Sequence, residues 1–441
     1  MLSTRIRIKG FAILASAILA LSLTAMPALA GSGAPATGRD LSPSTRFFIP
    51  TPDRGALTQI SSLVRSHSYN DAFLIGQEVT TPQAVWFTSG TPVQVKKAVQ
   101  KTVAEASLQK AVPILVAYNI PGRDCSQYSA GGALSLADYE AWIDGFASGI
   151  GKTKAVVILE PDGLGLLPSG CGLASTVYPF TDADRYSELN YAVDRLEQQP
   201  GVSVYLDGTH SAWLNVGDAS TRLVTAGVQR AQGFFLNVSS FQFSPNLVQY
   251  GTWISDCIAY ATLVTPGDYG NCPNQYWNGG PLPSLDAQLF GEWNGVALNA
   301  YGQWSDTSTV QSLQTSGINQ RYANMLGTVV PTTKFVIDTS RNGVGPWLPP
   351  SPYSTAQAQD WCNPPDRGLG VRPTANTGNS LLAAYLWVKT PGQSDGQCER
   401  WAPGGGIDPV RGYADPAAGA WFPQLALELA HNANPALKQL P

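Results

Sequence analysis

Residues 154–162 read KAVVILEPD, an uninterrupted aliphatic run that stops on Glu-Pro-Asp. Comparable runs lie on either side of it: AVPILVAYNI (111–120) before, then VSVYLD (202–207), GFFLNVS (233–239), KFVIDTS (334–340) and AAYLWVK (383–389). Continuous apolar runs of this length suit strands buried on both faces, as in a parallel sheet. Helical patterns fill the intervals at 92–108, 135–150, 183–199 and 310–326. Alternating strands and helices place the chain among α/β folds. No Gly-x-Gly-x-x-Gly follows any of these strands, which favours a closed (β/α) barrel over an open doubly wound sheet.

A plain barrel needs ~250 residues, and this chain has 441. The excess lies in two segments rich in Gly, Pro, Asn, Tyr and Trp, 237–334 and 341–377. Loops that long are usually lids or binding loops. With no linker and no internal repeat, residues 31–441 are expected to form one domain. Residues 1–30 read as a signal peptide: Arg5, Arg7 and Lys9, an apolar run at 11–23, then Ala28-Leu29-Ala30. That run is too short for a comfortable membrane span. The mature chain is therefore expected to be secreted, free of the membrane and monomeric.

Export makes an oxidising environment, and six cysteines suit disulfides there. Fifteen pairings are possible. Joining sequence neighbours, Cys125 with Cys171, Cys257 with Cys272 and Cys362 with Cys398, is the simplest. No Cys-x-x-Cys occurs and the three His are scattered, so neither a metal nor another cofactor is expected. Only 13% of residues are charged and the net charge is −4, which supplies no field for phosphate backbones and argues against nucleic acid. Twelve Trp, 17 Tyr and 14 Phe exceed the needs of one core. Some are expected to line a binding surface.

Carboxylates fall at the ends of the apolar runs. Asp162, Asp207 and Asp338 close three of them, and Asp124 and Asp395 lie just past two others. One Asp at a strand end is ordinarily a helix cap or turn former. Five in a charge-poor chain point to a shared acidic site, because barrel strands bring their C-terminal ends to one face. With Arg123, Arg341 and Lys389 as counter-charges and many Trp and Tyr, paired acids suit glycoside hydrolysis.

ILEPDGLG (158–165), YNIPGRDC (118–125), VYLDGTHSAWL (204–214), DTSRNGVGP (338–346), DWCN (360–363) and LWVKTPGQSDG (386–396) together resemble glycoside hydrolase family 6. The resemblance implies a distorted (β/α) barrel with long loops roofing its C-terminal face. It also implies inverting hydrolysis of cellulose and cello-oligosaccharides. By the same resemblance Asp162 is the general acid, Asp124 the carboxylate that raises its pKa, and Asp395 the base. Tyr118 presses on the distorted sugar, and Asp207 holds substrate or supports the acid. Trp86, Trp213 and Trp361 stack on glucosyl rings, while His210 and Asn237 make polar contacts at the site. Arg123, Arg341 and Lys389 are expected to bind substrate. Glu160 reads as structural, one layer deeper in its strand.

The chain departs from the family at Gln393, where Glu is common, and at Val216, where some cellobiohydrolases have a second stacking Trp. A cellobiohydrolase acting from non-reducing ends is expected ahead of an endoglucanase. Disulfide-stiffened loops at 240–330 and 342–384 are expected to make a tunnel walled in part by Trp253, Tyr276, Trp277, Trp293 and Trp304, with packing inside the loop an equally good account of each. A binding protein that has lost catalysis is opposed by the intact Asp124, Asp162, Asp207 and Asp395.

Overall fold

All six aliphatic runs are strands, and a seventh that the sequence reading missed precedes them. The computed structural model describes residues 39–172, 179–276 and 296–440. The strands are β1 (Val85–Phe87), β2 (Ile114–Ala117), β3 (Ala155–Leu159), β4 (Val202–Asp207), β5 (Gly233–Leu236), β6 (Lys334–Asp338) and β7 (Leu382–Leu386). They form one parallel sheet in sequence order, β1 to β7. Among the described residues no ladder joins β7 back to β1. The Ala84 amide does donate to the Trp387 carbonyl at 2.9 Å, and the Trp86 indole donates to the Val388 carbonyl at 2.8 Å. The sheet curls into a distorted barrel whose seam is bridged rather than zipped.

The period-2 alternation of the strands divides the core in two. Ile114, Val116, Val156, Ile158, Tyr205, Phe235, Val336 and Leu386 fill the barrel interior. Leu115, Val157, Val204, Phe234 and Ile337 face outward into a larger apolar layer. Helices α3 (Pro92–Leu108), α4 (Leu136–Ile150), α5 (Asp182–Glu197), α6 (Val216–Thr225), α7 (Ser244–Ala259) and α8 (Ser316–Leu326) cover that layer. Helices α1 (Arg54–Arg65), α2 (Tyr69–Val79) and α10 (Pro423–His431) build a third cluster with Trp387. A single turn, α9 (Thr355–Ala358), lies between β6 and β7. Several starts follow from side-chain caps, for example Thr91 with Gln94 at α3 and Ser135 at α4.

The cysteines are joined as sequence neighbours: Cys125–Cys171, Cys257–Cys272 and Cys362–Cys398. Helix α8 falls within the helical pattern expected at 310–326, but the segment 237–334 also contains α7, where a loop was expected. Trp253 and Trp304 are correspondingly not tunnel wall. They are buried, stack on each other at 5.8 Å and belong to the outer core with Cys257 and Cys272. Trp277, Trp293 and residues 1–30, expected to be a signal peptide, lie outside the described residues. No described helix is long and apolar enough to cross a membrane.

Candidate active site

The inward-facing period of the strands carries on past their C-terminal ends and delivers the site. Trp86 and Tyr118 continue the interior faces of β1 and β2. Asp207 and Asp338 occupy the same position on β4 and β6. Asp162 follows β3 by three residues, in a turn where both Glu160 (φ 51°) and Asp162 (φ 65°) are left-handed. Non-glycine residues are held there only by surrounding structure.

That hold is visible. The buried Glu160 carboxylate accepts the amides of Asn119 and Ile120 at 2.9–3.0 Å. Arg185, buried on α5, donates to the carbonyls of Gly163 (2.7 Å), Leu166 (3.1 Å) and Pro121 (3.1 Å). One guanidinium thereby fastens the turn carrying Asp162 to the loop carrying Asp124. Glu160 holds backbone, as expected, but from the turn just past β3 rather than from one layer deeper in the strand. Arg185 was missed; the only trace in sequence is an Arg-x-x-Glu spacing on a helix, an ordinary surface pattern.

Burial pushes the Asp162 carboxyl well above the usual carboxylate range, the negative charges of Asp207 and then Asp124 push it further, and Lys389 opposes them. Asp124 was expected to be the main like charge, but Asp207 comes ahead of it. Asp207 is itself buried and accepts the amides of Leu164 (3.2 Å), Gly165 (3.1 Å) and Thr209 (2.8 Å). Burial still raises it to about 6 against those three donors. Asp124 Oδ2 accepts the Ser129 amide at 2.6 Å, and burial raises this carboxyl too.

Asp395 sits in the opposite environment. Its Oδ1 lies 3.0 Å from Lys389 Nζ, and its Oδ2 lies 2.8 Å from Arg341 and 3.0 Å from the Asn363 amide. Burial acts to raise its pKa, but Arg341 and Lys389 outweigh that and hold the carboxyl below its ordinary value. Asn363, another residue the sequence reading did not single out, also accepts the Asp395 amide at 2.8 Å. Asp338 is not a fifth site acid. It is buried and accepts the amides of Ser239, Ser340, Val388 and Lys389, which sets the start of the loop carrying Lys389.

The remaining expected site residues divide into exposed and buried. Trp86 meets Tyr118 edge-on at 5.4 Å. Trp213 is half-buried, and its ring covers Gly165, where a Cβ would come within 2.5 Å of it. Trp361 is 40% exposed beside Tyr128. His210 Nδ1 accepts the Ala212 amide at 3.2 Å, which puts the ring proton on Nε2. Burial lowers its pKa to about 4, so the ring is neutral.

Three substrate-contact expectations do not fit. Arg341 is fully buried behind Asp395 and under Phe241. Asn237 is buried and spends its amide on the Asp338 carbonyl and the Gln242 amide. Arg123 donates to the carbonyls of Thr88, Tyr118, Ser129 and Ala130 and lies 4.7 Å over the Tyr118 ring, so it props Tyr118. Short polar side chains at strand ends look alike in sequence whether they point at a cleft or at the backbone. Val216 is buried at the start of α6 and offers no platform.

The model of glycosyl hydrolases family 6 matches residues 43–266 and 285–433. Endoglucanase A of Cellulomonas fimi is 32% identical over 89% of this chain, which spans 62% of that protein's length. Endoglucanase 1 of Streptomyces halstedii is 30% identical over 86% of this chain and 90% of its own. Probable 1,4-β-D-glucan cellobiohydrolase C of Aspergillus terreus is 30% identical over 73% of this chain and 59% of its own. The solved endoglucanase Cel6 of Mycobacterium tuberculosis, in complex with a thio-linked cello-oligosaccharide, superposes with a TM-score of 0.60 at 29% identity. The match covers 90% of this chain and 99% of that one. With its parallel, curled sheet and its strand-end carboxylates, the chain belongs to glycosyl hydrolases family 6.

Proposed function

We propose that this chain is a secreted hydrolase that cleaves β-1,4-linked glucan with inversion at the anomeric carbon. The observation that carries the proposal is the divergence of two carboxyl groups. Asp162 is pushed toward its protonated form by burial and by Asp207 and Asp124. Asp395 is held ionised by Arg341 and Lys389 against burial. Acid and base roles follow when neighbouring carboxyls are driven apart in this way. Asp162 protonates the glycosidic oxygen. Asp395 Oδ1, whose described partner is Lys389, keeps a lone pair to orient the attacking water, although its lowered pKa makes it a weak proton acceptor. Trp86, Trp213 and Trp361 offer ring faces to the glucan, and neutral His210 offers its Nε2 proton.

Cutting within chains is favoured over release of cellobiose from ends. The Cys257–Cys272 bridge, expected to stiffen a roof, packs instead in the core outside the barrel. The two bacterial relatives above are named endoglucanases. End-wise action has one observation in its favour: Cys125–Cys171 and Cys362–Cys398 stiffen the loops beside Asp124 and Trp361. Viscometry of carboxymethylcellulose set against reducing-sugar release decides between them. A steep early fall in viscosity is expected; cellobiose release with viscosity unchanged would establish end-wise action. Asp162→Asn should lower turnover of cellohexaose by at least ~10²-fold while binding persists, since the amide has no proton to give. Near-normal turnover would remove Asp162 from its role.

A further inference from the structure

At the end of the barrel opposite the carboxylates lies a cavity of about 290 Å³. Strand register fixes its level. Tyr205 pairs with Gly233, Gly233 with Lys334, and Phe335 with Leu382. The cavity residues Tyr205, Lys334 and Leu382 therefore stand where β5, β6 and β7 begin. Asp207 and Asp338 close β4 and β6 at the other end, and interior side chains such as Phe235 and Val336 fill the space between. All strands run the same way, so the two ends are separate faces of the molecule.

Both walls are preformed. On one side the segment 39–41 crosses the strand ends, its Arg39 carbonyl accepting the Ser203 hydroxyl and its Asp40 carbonyl accepting Lys154 Nζ, each at 2.6 Å. Asp40 Oδ1 accepts Gln232 Nε2 at 2.9 Å and Lys334 Nζ at 3.0 Å. On the other side the turn 376–382 is shaped by its own side chains. Thr377 Oγ1 donates to the Leu382 carbonyl at 2.6 Å, and Asn379 Oδ1 accepts the amides of Leu381 and Leu382 at 2.9 and 3.2 Å. These bonds are what stability at a barrel's N-terminal face asks for. Tyr205 is not explained by them. It is 1% exposed, and among the described residues nothing hydrogen bonds its hydroxyl, whereas buried polar groups ordinarily have partners. Burial raises its pKa and the charges of Asp40 and Glu197 raise it further, which directs the hydroxyl toward the cavity's Asp40 wall.

We propose that this cavity is a second ligand site that takes one free pyranose, with Tyr205, Lys334 and Asn376 bonding its hydroxyls. Asp40 and Lys334 cancel each other's charge, so the walls suit a neutral ligand. Lys334 Nζ has two N–H groups beyond the one on Asp40, the Asn376 amide donates and accepts, and the Tyr205 hydroxyl does both. A sugar hydroxyl likewise donates and accepts, and Leu41, Leu382 and Ala383 meet the C–H faces of its ring. The volume lies at the small end for ligand pockets, enough for a single ring and too little for an oligosaccharide. A sugar bound here does not compete with glucan in the cleft. It favours the folded chain by mass action, because the strand ends and the segment 39–41 form the site only together.

Calorimetric titration with glucose tests this, in the Asp162→Asn protein with excess cellohexaose present to occupy the cleft. One glucose per chain should bind, with a Kd on the order of millimolar for a ligand of this size. Adding Tyr205→Phe removes the hydroxyl and keeps the ring packed, and should weaken glucose about tenfold. Asn376→Ala should do the same from the opposite lip. Asn376 is exposed, so its variant folds even if Tyr205→Phe does not, and cooperative melting checks both. Any glucose that reaches the cleft binds all three proteins alike, so the difference between them reports this cavity alone. Absence of binding, or equal affinity in all three proteins, would overturn the site. Inorganic phosphate bound more tightly than glucose would overturn the assignment of a neutral sugar.

Discussion

A carboxyl that must donate a proton near neutral pH has to prefer its neutral form, and at Asp162 burial does most of that, with Asp207 and Asp124 adding and Lys389 subtracting. The sign of each neighbour gives a test. Acid catalysis fails as pH rises through the Asp162 pKa, so the alkaline limb of kcat/KM follows that pKa in the free enzyme. Asp124→Asn removes a like charge, while its oxygen can still accept the Ser129 amide, and should move the limb to lower pH. Lys389→Met removes an opposing cation and should move it to higher pH. Shifts of the same sign in both variants would mean that neither charge acts on Asp162. At this scale the sequence located the acids but not their ranking. Asp207 and Asp338 both end strands, yet only the folded backbone shows that one couples to Asp162 while the other accepts four amides.

At the scale of elements, α5 packs a buried ion cluster under the acid's turn. Arg185 Nε lies 3.6 Å from Glu188 Oε2, and Glu160 lies close enough for its charge to raise Glu188. Burial raises Glu160 to about 7 and Glu188 to about 8. Both folded values lie above the unfolded ones, so the folded chain holds these protons more tightly. Their stabilisation is therefore complete below the unfolded pKa of ~4.3 and is lost as pH climbs through about 7 and about 8. The melting temperature should fall from pH 5 to pH 8, and Glu188→Gln, which stays neutral, should flatten that slope. An unchanged slope would place the titration elsewhere. Strong apolar runs and helical periodicity made β2 to β7, α3, α4, α5 and α8 legible. Strand β1 escaped notice because it is three residues long and its Trp86 reads as a site residue. Helix α7 was hidden by its composition: SPNLVQYGTWISDCIA carries Pro, Gly and Trp that suggest a loop, and tertiary burial overrides that weak propensity.

For the whole molecule, parallel order and strand-end chemistry converge on one face, and that convergence was visible in the sequence because every buried strand points the same way. The unzipped seam was not visible, since closure depends on the tilt and stagger of all strands together rather than on any one of them. Its consequence is local: Trp86 and a cavity beside it occupy the gap between β1 and β7. The Arg341–Asp395 pair is the matching buried feature near the other end of the sheet. Removing Arg341 takes one of two cations from a buried carboxylate that keeps Lys389, at a cost below the ~3–5 kcal/mol of leaving such a charge uncompensated, so Arg341→Met should lower both stability and activity. Thermal unfolding followed alongside kcat checks it, and a stable variant with full activity would show that Asp395 needs no such partner.

The most direct test of the proposed chemistry is the configuration of the first sugar released. Proton NMR of cellohexaose during the first turnovers, before mutarotation, should show the new reducing end as the α-anomer, because water attacks the face opposite the departing oxygen. A first product with the β-configuration would mean that a protein carboxylate had attacked the sugar, and would contradict the assignment of Asp162 and Asp395 as an inverting pair.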